Sequence, residues 1–251
     1  IFTFENMRIP KLYVGAPGIG KTAITRQSYD YCEVMLLSSC TEEDIAGLPY
    51  RQGENERRTI PFFVENLQKR PEHESICLFL DEIDKARREV TDTLLTLITH
   101  PASFGIPERC DIIAACNPPE WGGGDGLSQA MLSRFSIIDF QVDVEKGASY
   151  IIRKYNNNVI VSRIVDMILK NQVPLLESNG EGLKWRLSCP RTWDLAIGAF
   201  IDGEKDEVIY GLLTMNCADA LCALRNEKSS PKTQEVARKF AMAKIIKPLR
   251  V

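Results

Sequence analysis

"KLYVGAPGIGKTAI", residues 11–24, decides how the rest of the chain is read. A short apolar run from Lys11 to Val14 gives way to a glycine-rich loop, and the loop to a helix-prone segment. Gly15 to Thr22 fit the spacing G-x-x-x-x-G-K-[ST] in the strand–loop–helix setting that gives it meaning. Glycines let backbone N–H groups close around phosphate oxygens, and the helix N-terminus adds partial positive charge. On this reading Gly15, Ala16, Pro17, Gly18, Ile19, Gly20, Lys21, Thr22 and Ala23 cradle the phosphates of a nucleotide. Lys21 bridges the outer phosphates, and the Thr22 hydroxyl meets Mg2+. The plain alternative is a chance glycine-rich turn.

Two further strand ends carry matching chemistry. "ICLFLDEID", residues 76–84, is an apolar strand closed by two carboxylates. Asp81 suits a magnesium contact through water, and Glu82 suits a general base that activates an attacking water. The alternative is a pair of solvated acids. "CDIIAACN", residues 110–117, ends on Asn117, whose side-chain amide is placed to hold that water; a turn before Pro118 and Pro119 would also use an asparagine. The chain lacks an N-K-x-D guanine-reading motif.

Bulk composition narrows the class. The chain has 251 residues, 44% of them hydrophobic and 26% charged, enough for one large domain or a core with a smaller lid. A net charge of -3 counts mildly against general attraction to nucleic-acid phosphates. No apolar run approaches the ~20 residues that cross a bilayer, and no signal-peptide pattern opens the chain. Ile1 rather than Met comes first, so some preceding sequence is expected to be missing. The eight cysteines form no C-x-x-C pair and mostly interrupt apolar runs, which predicts reduced, buried thiols and a cytoplasmic setting. With only His73 and His100 available, zinc-ligand spacing is missing.

The apolar runs "KLYVG", "EVMLLSS", "ICLFLDE", "CDIIAACN" and "SIIDFQV" are continuous rather than alternating. That predicts five strands of a parallel sheet covered by helices on both faces. After Val144 no strong strand signal follows, and "ASYIIRKY", "VSRIVDMILKN", "RTWDLAIGAFI", "EVIYGLLTMNCADALCALRNEK" and "EVARKFAMAKII" read as helices. An α/β nucleotide-binding core over 1–143 and a helical lid over 144–251 are therefore expected.

These motifs resemble the AAA+ ATPases, and in particular the MoxR-like branch. The resemblance runs through "LYVGAPGIGKTAI", "LFLDEIDKA", "AACNPPEWGGGDGLSQAMLSRF" and "CPRTWDLA", and the last two are more specific than the phosphate loop. It implies a five-stranded AAA+ P-loop core with a helical lid, and a ring, commonly a hexamer, with ATP at subunit boundaries. It makes Gly15 to Thr22 the Walker A loop, Asp81 and Glu82 Walker B, and Asn117 sensor 1. Arg191, at a helix start where the dipole offers a cation nothing, falls at sensor 2. Arg134 is similar to the arginine finger, which acts on the ATP of the next subunit and so needs no acidic partner in its own chain. "LPYRQGENERRTIP", residues 48–61, has turn residues between extended halves; it reads as a hairpin or an ordinary loop. Its place is similar to the MoxR helix-2 insertion, which faces the ring axis or a partner. "HPASFGIPERCD", residues 100–111, falls where the family has another inserted element, with Arg109 a weaker candidate for a neighbouring nucleotide. Phe4 and Ile9 are the remnants available for an adenine pocket wall. Trp121, in "WGGGDG", could pack on a partner, and the basic run "VARKFAMAKIIKPLRV" could meet acidic ones.

The expected activity is Mg2+-dependent ATP hydrolysis in a homo-hexameric ring that remodels or activates a client protein. In that family the client is often a von Willebrand factor A-domain protein. A nucleic-acid-dependent motor, of replication or restriction type, and a nucleotide-gated scaffold are the alternatives.

Overall fold

The computed structural model describes residues 8–121, 126–155, 158–179 and 186–225. Its contacts define two compact units: Ile1–Pro17 with Lys21–Phe140, and Gln141–Val251 with Gly18–Gly20.

The first unit runs β1 (Lys11–Val14), α1 (Lys21–Ser28), β2 (Tyr31–Leu36), α2 (Glu42–Ala46), β3 (Pro49–Gln52) and β4 (Asn55–Arg58). It continues with α3 (Phe62–Gln68), β5 (Ile76–Asp81), α4 (Arg88–Thr99), β6 (Cys110–Cys116), α5 (Gln129–Leu132) and β7 (Ser136–Asp139). Five strands form one sheet in the order β2-β5-β6-β1-β7, with every pairing parallel. The central strands are buried on both sides. Ile76, Leu78 and Leu80 of β5 join the larger core with Val64, Leu67 and Leu94. Cys77 and Phe79, the alternate residues, pack with Ile113 and Ala115 on the opposite face. Strand alternation sends successive side chains to opposite faces, and both faces here are covered, so the pattern reads as one continuous apolar run.

Residues 48–61 fold as a hairpin. β3 and β4 pair antiparallel, Tyr50 opposite Arg57 and Arg51 opposite Glu56, with Gly53 at φ 67 in the turn. All eight strand residues are exposed. Residues 100–111 hold no inserted element: a single 3-10 turn, Pro101–Phe104, leads through Gly105 into β6.

The second unit contains α6 (Val144–Lys154), α7 (Val159–Leu169), β8 (Glu177–Asn179), β9 (Arg186–Ser188), α8 (Pro190–Ile201), α9 (Asp206–Leu212) and α10 (Met215–Ala223). Trp193 is fully buried at its centre, among Ile151, Ile164, Val165, Ile197 and Leu221. The Trp193 indole N–H donates to the Pro174 carbonyl at 3.2 Å, so the ring's polar atom is satisfied without leaving the core.

Two features of this unit depart from the sequence expectation. β8 and β9 form a small antiparallel ladder where only helices were expected. Strands of three residues are too short to produce a periodic signal. The run from Glu207 to Lys228 is also not one helix, since α9 and α10 break at Leu213 and Thr214. The Thr214 N–H is diverted to Ser188 Oγ at 3.0 Å, and the Thr214 hydroxyl bonds Glu177. Both partners come from the ladder, so the missed strands and the missed break have one cause. The helix expected at "EVARKFAMAKII", and the basic run that overlaps it, lie outside the described residues, as do Phe4 and Gly122 to Asp125. Among the described residues no helix is long and apolar enough to cross a membrane.

Candidate nucleotide-binding site

Sheet order and register bring the chemistry together. β5, β6 and β1 are neighbours, with Leu80 abreast of Ala114 and Ala114 abreast of Leu12. Their carboxyl ends therefore stop within a residue or two of each other: Asp81 ends β5, Asn117 follows β6, and the phosphate loop follows β1. In open α/β sheets this edge is where ligands bind.

Lys21 is buried, 8% exposed, at the start of α1. An ammonium out of water must be paired or hydrogen-bonded. Its Nζ donates to the carbonyls of Gly15 at 2.6 Å and Ala16 at 3.0 Å, and to Asn117 Oδ1 at 2.8 Å. With Oδ1 accepting, the Asn117 amide nitrogen is its donor side. The Thr22 hydroxyl donates to Asp81 Oδ2 at 2.7 Å, while Asp81 Oδ1 accepts the Glu82 backbone N–H at 3.0 Å. Gly18 and Gly20 have φ of 73 and 99, the left-handed region where a side chain would be strained. Ala23 is exposed in the first turn of the helix.

Glu82 has φ 55 and ψ 43, a left-handed backbone that costs a non-glycine residue about 1–2 kcal/mol. This turn ends the strand at Asp81 and re-aims the next side chain. The Glu82 carboxylate pairs with Lys85 Nζ at 3.0 Å, both side chains about one-third exposed. An acid and a lysine three positions apart at a helical turn are a legible pair, and the sequence reading passed over it.

Arg134 follows α5 and is fixed by two neutral acceptors. Its Nε donates to Thr99 Oγ1 at 2.8 Å, and its Nη1 to the Ala130 carbonyl. Among the described residues it makes no ion pair. Arg191 is exposed in the first turn of α8, which Pro190 opens and the Cys189 N–H to Thr192 Oγ1 bond, 2.8 Å, caps. Arg109 is used elsewhere: its Nη2 donates to the carbonyls of Arg70 at 2.7 Å and Pro71 at 3.3 Å, at the amino end of β6. That is the sheet edge opposite the phosphate loop of the same chain. Trp121 is part-buried and Ile9 is 69% exposed.

A parallel sheet in this order, with a phosphate loop after its fourth strand in space and paired carboxylates at the end of a neighbour, defines a P-loop nucleoside-triphosphatase domain. Residues 11–135 match the AAA domain of the dynein-related subfamily, and this segment is an AAA+ ATPase domain. Midasin of Giardia intestinalis is 30% identical over 158 residues, covering 56% of this chain; the chain spans 3% of that much longer protein. The Thermotoga maritima RuvB Holliday junction branch migration motor matches with a TM-score of 0.41 at 15% identity, covering 94% of this chain and 75% of that one. A RuvB mutant from the same organism gives 0.43 at 14% identity, covering 93% and 69%.

Proposed function

We propose that this chain is an ATP-hydrolysing ring protein of MoxR type that remodels or activates a client protein. The observation that carries the hydrolytic part is the convergence of Lys21, Thr22, Asp81 and Asn117 at one sheet edge. The MoxR assignment rests on "NPPEWGGGDGLSQAMLSRF" and "CPRTW".

Lys21 exchanges its carbonyl and amide partners for the outer phosphate oxygens of ATP. Thr22 and Asp81 offer two hard oxygens 2.7 Å apart, and Mg2+ is held by one or two protein oxygens plus substrate phosphates, so the donor set fits. Mg2+ bound there would neutralise charge on the β- and γ-phosphate oxygens. Glu82 takes the proton of the attacking water while Asn117 orients it. Arg134 stabilises the transition state on a neighbouring subunit's ATP, a contribution of about 10³–10⁵ in rate. Arg191 is the sensor-2 arginine of a helical lid over 144–251, and relative motion of core and lid is the mechanical output.

The hairpin β3–β4 supports a partner contact. A lone two-stranded hairpin is marginal in water, and this one exposes Tyr50 and is followed by exposed Ile60 and Phe62. A client, for example one carrying a von Willebrand factor A domain, would cover that surface. The cytoplasm suits its free thiols.

Phosphate release per subunit, measured across protein concentrations for wild type and Arg134→Ala, tests this assignment. Specific activity should climb with concentration, and the variant should bind ATP yet stay near zero. Activity independent of concentration and of Arg134 would remove the ring from the account.

A further inference from the structure

An arginine that acts on a neighbouring subunit must be aimed before that subunit's ATP arrives. A guanidinium on a flexible stem has five N–H donors in a planar fork, and its use depends on which of them are already committed. In Arg134 two nitrogens are: Nε to Thr99 and Nη1 to the Ala130 carbonyl. Ala130 lies on the arginine's own short helix, whereas Thr99 comes from the last position of α4, 35 residues away in sequence. The Thr99 hydroxyl donates to the Leu95 carbonyl at 2.6 Å, one turn back in α4. Its proton is thereby committed, and its lone pairs are presented to Arg134. A β-branched side chain, restricted at χ1, holds that direction better than a flexible one would.

Both acceptors are neutral. A carboxylate at the Thr99 position would orient the guanidinium equally well but would compete with a phosphate for its charge. Threonine orients without neutralising, so the guanidinium keeps its net positive charge for an external anion. Preorganised charge of this kind needs no rearrangement as the reaction proceeds.

The geometry points to Thr99 as a positioning residue for Arg134, setting the plane of the guanidinium that meets phosphate on the adjacent subunit. It rests on the assignment of Arg134 as the arginine supplied in trans. Thr99 touches neither nucleotide nor reacting atoms in this scheme, and acts only through Arg134.

The test compares kcat and KM for ATP in the full chain at a concentration where wild-type activity has levelled off. The set is Thr99→Ala, Thr99→Ser, Arg134→Ala and the double variant Thr99→Ala with Arg134→Ala. Thr99 is exposed, so its substitution leaves the core intact. Thr99→Ala should lose about tenfold in kcat with KM unchanged, the scale of one oriented hydrogen bond to a charged group. Thr99→Ser, which keeps the hydroxyl, should recover to within about twofold. In the Arg134→Ala background the Thr99 substitution should cost nothing more, since a residue acting through Arg134 has nothing left to position. Wild-type kcat in Thr99→Ala, or an undiminished loss in the double variant, overturns the proposal while leaving the trans arginine standing. Wild-type kcat in Arg134→Ala overturns both.

Discussion

Lys21 Nζ lies 2.8 Å from Asn117 Oδ1, a contact between residues 96 positions apart. It ties the first residue of α1 to the residue after β6, and it exists because β1 and β6 are adjacent in the sheet with Val14 abreast of Cys116. The same ammonium takes the carbonyls of Gly15 and Ala16. A buried charge is thus held in place by polar groups that phosphate oxygens can replace.

Removing that ammonium should abolish useful nucleotide binding. Lys21→Ala is expected to weaken ATP affinity by about a hundredfold, the value of charge-assisted hydrogen bonds to phosphate. Titration calorimetry or a fluorescent ATP analogue measures it. Affinity within threefold of wild type would mean that the phosphates bind elsewhere.

Asn117 should separate binding from chemistry. Its amide is assigned to the water, so Asn117→Ala should lower kcat by about 10²-fold while KM changes less than about threefold. Steady-state kinetics distinguishes this from a purely structural asparagine, whose loss would raise KM through a misplaced Lys21.

Thiol reactivity should rank by environment. The Cys32 thiol sits in register with Cys77, whose hydrogen bond holds it below the ordinary thiol value; Arg26 acts in the same direction, against the opposing effect of burial. Burial pushes Cys116 up to about 11 and Cys110 up to about 12. As pH rises from 7 to 9, Cys32 gains thiolate while the other two stay protonated, so Cys32 should be alkylated well ahead of them. Peptide mass spectrometry after brief iodoacetamide treatment of native protein reads the order. Equal rates at all three would contradict it.

Trp193 should be a stability residue. It is fully buried and bonds the Pro174 carbonyl, so Trp193→Ala should cost about 3–5 kcal/mol, seen as a lower denaturant midpoint. Trp193→Phe keeps most of the volume but leaves that carbonyl only the Cys217 thiol, 3.6 Å away, and should cost about 1–3 kcal/mol. The conspicuous "PRTW" string thus divides its labour, with Trp193 in the core and Arg191 outside it.

What the sequence made legible follows from how local each signal is. The phosphate loop is a contiguous pattern, and the central strands β5 and β6 are continuous apolar runs because both faces of the sheet are covered there. Asp81, Glu82 and Asn117 could be found because each stands at the end of such a run. The ladder of β8 and β9 and the break at Thr214 were hidden, since each depends on Glu177 and Ser188 meeting Thr214 across distant sequence. The anchoring of Arg134 by Thr99 was hidden for the same reason. A lone threonine at a helix end gives no sign of which guanidinium it will meet. The bonds from Arg109 to the Arg70 and Pro71 carbonyls, nearly forty residues back, were hidden in the same way.

The most direct test of the hydrolytic site is a single-turnover measurement on Glu82→Gln, with ATP binding followed in the same preparation. The substitution keeps size and removes the base, so ATP should bind within about threefold of wild type while hydrolysis falls by about 10²–10⁴-fold. Hydrolysis within a few-fold of wild type would show that the water is activated by another group, and that the left-handed turn at the end of β5 does not deliver the catalytic carboxylate.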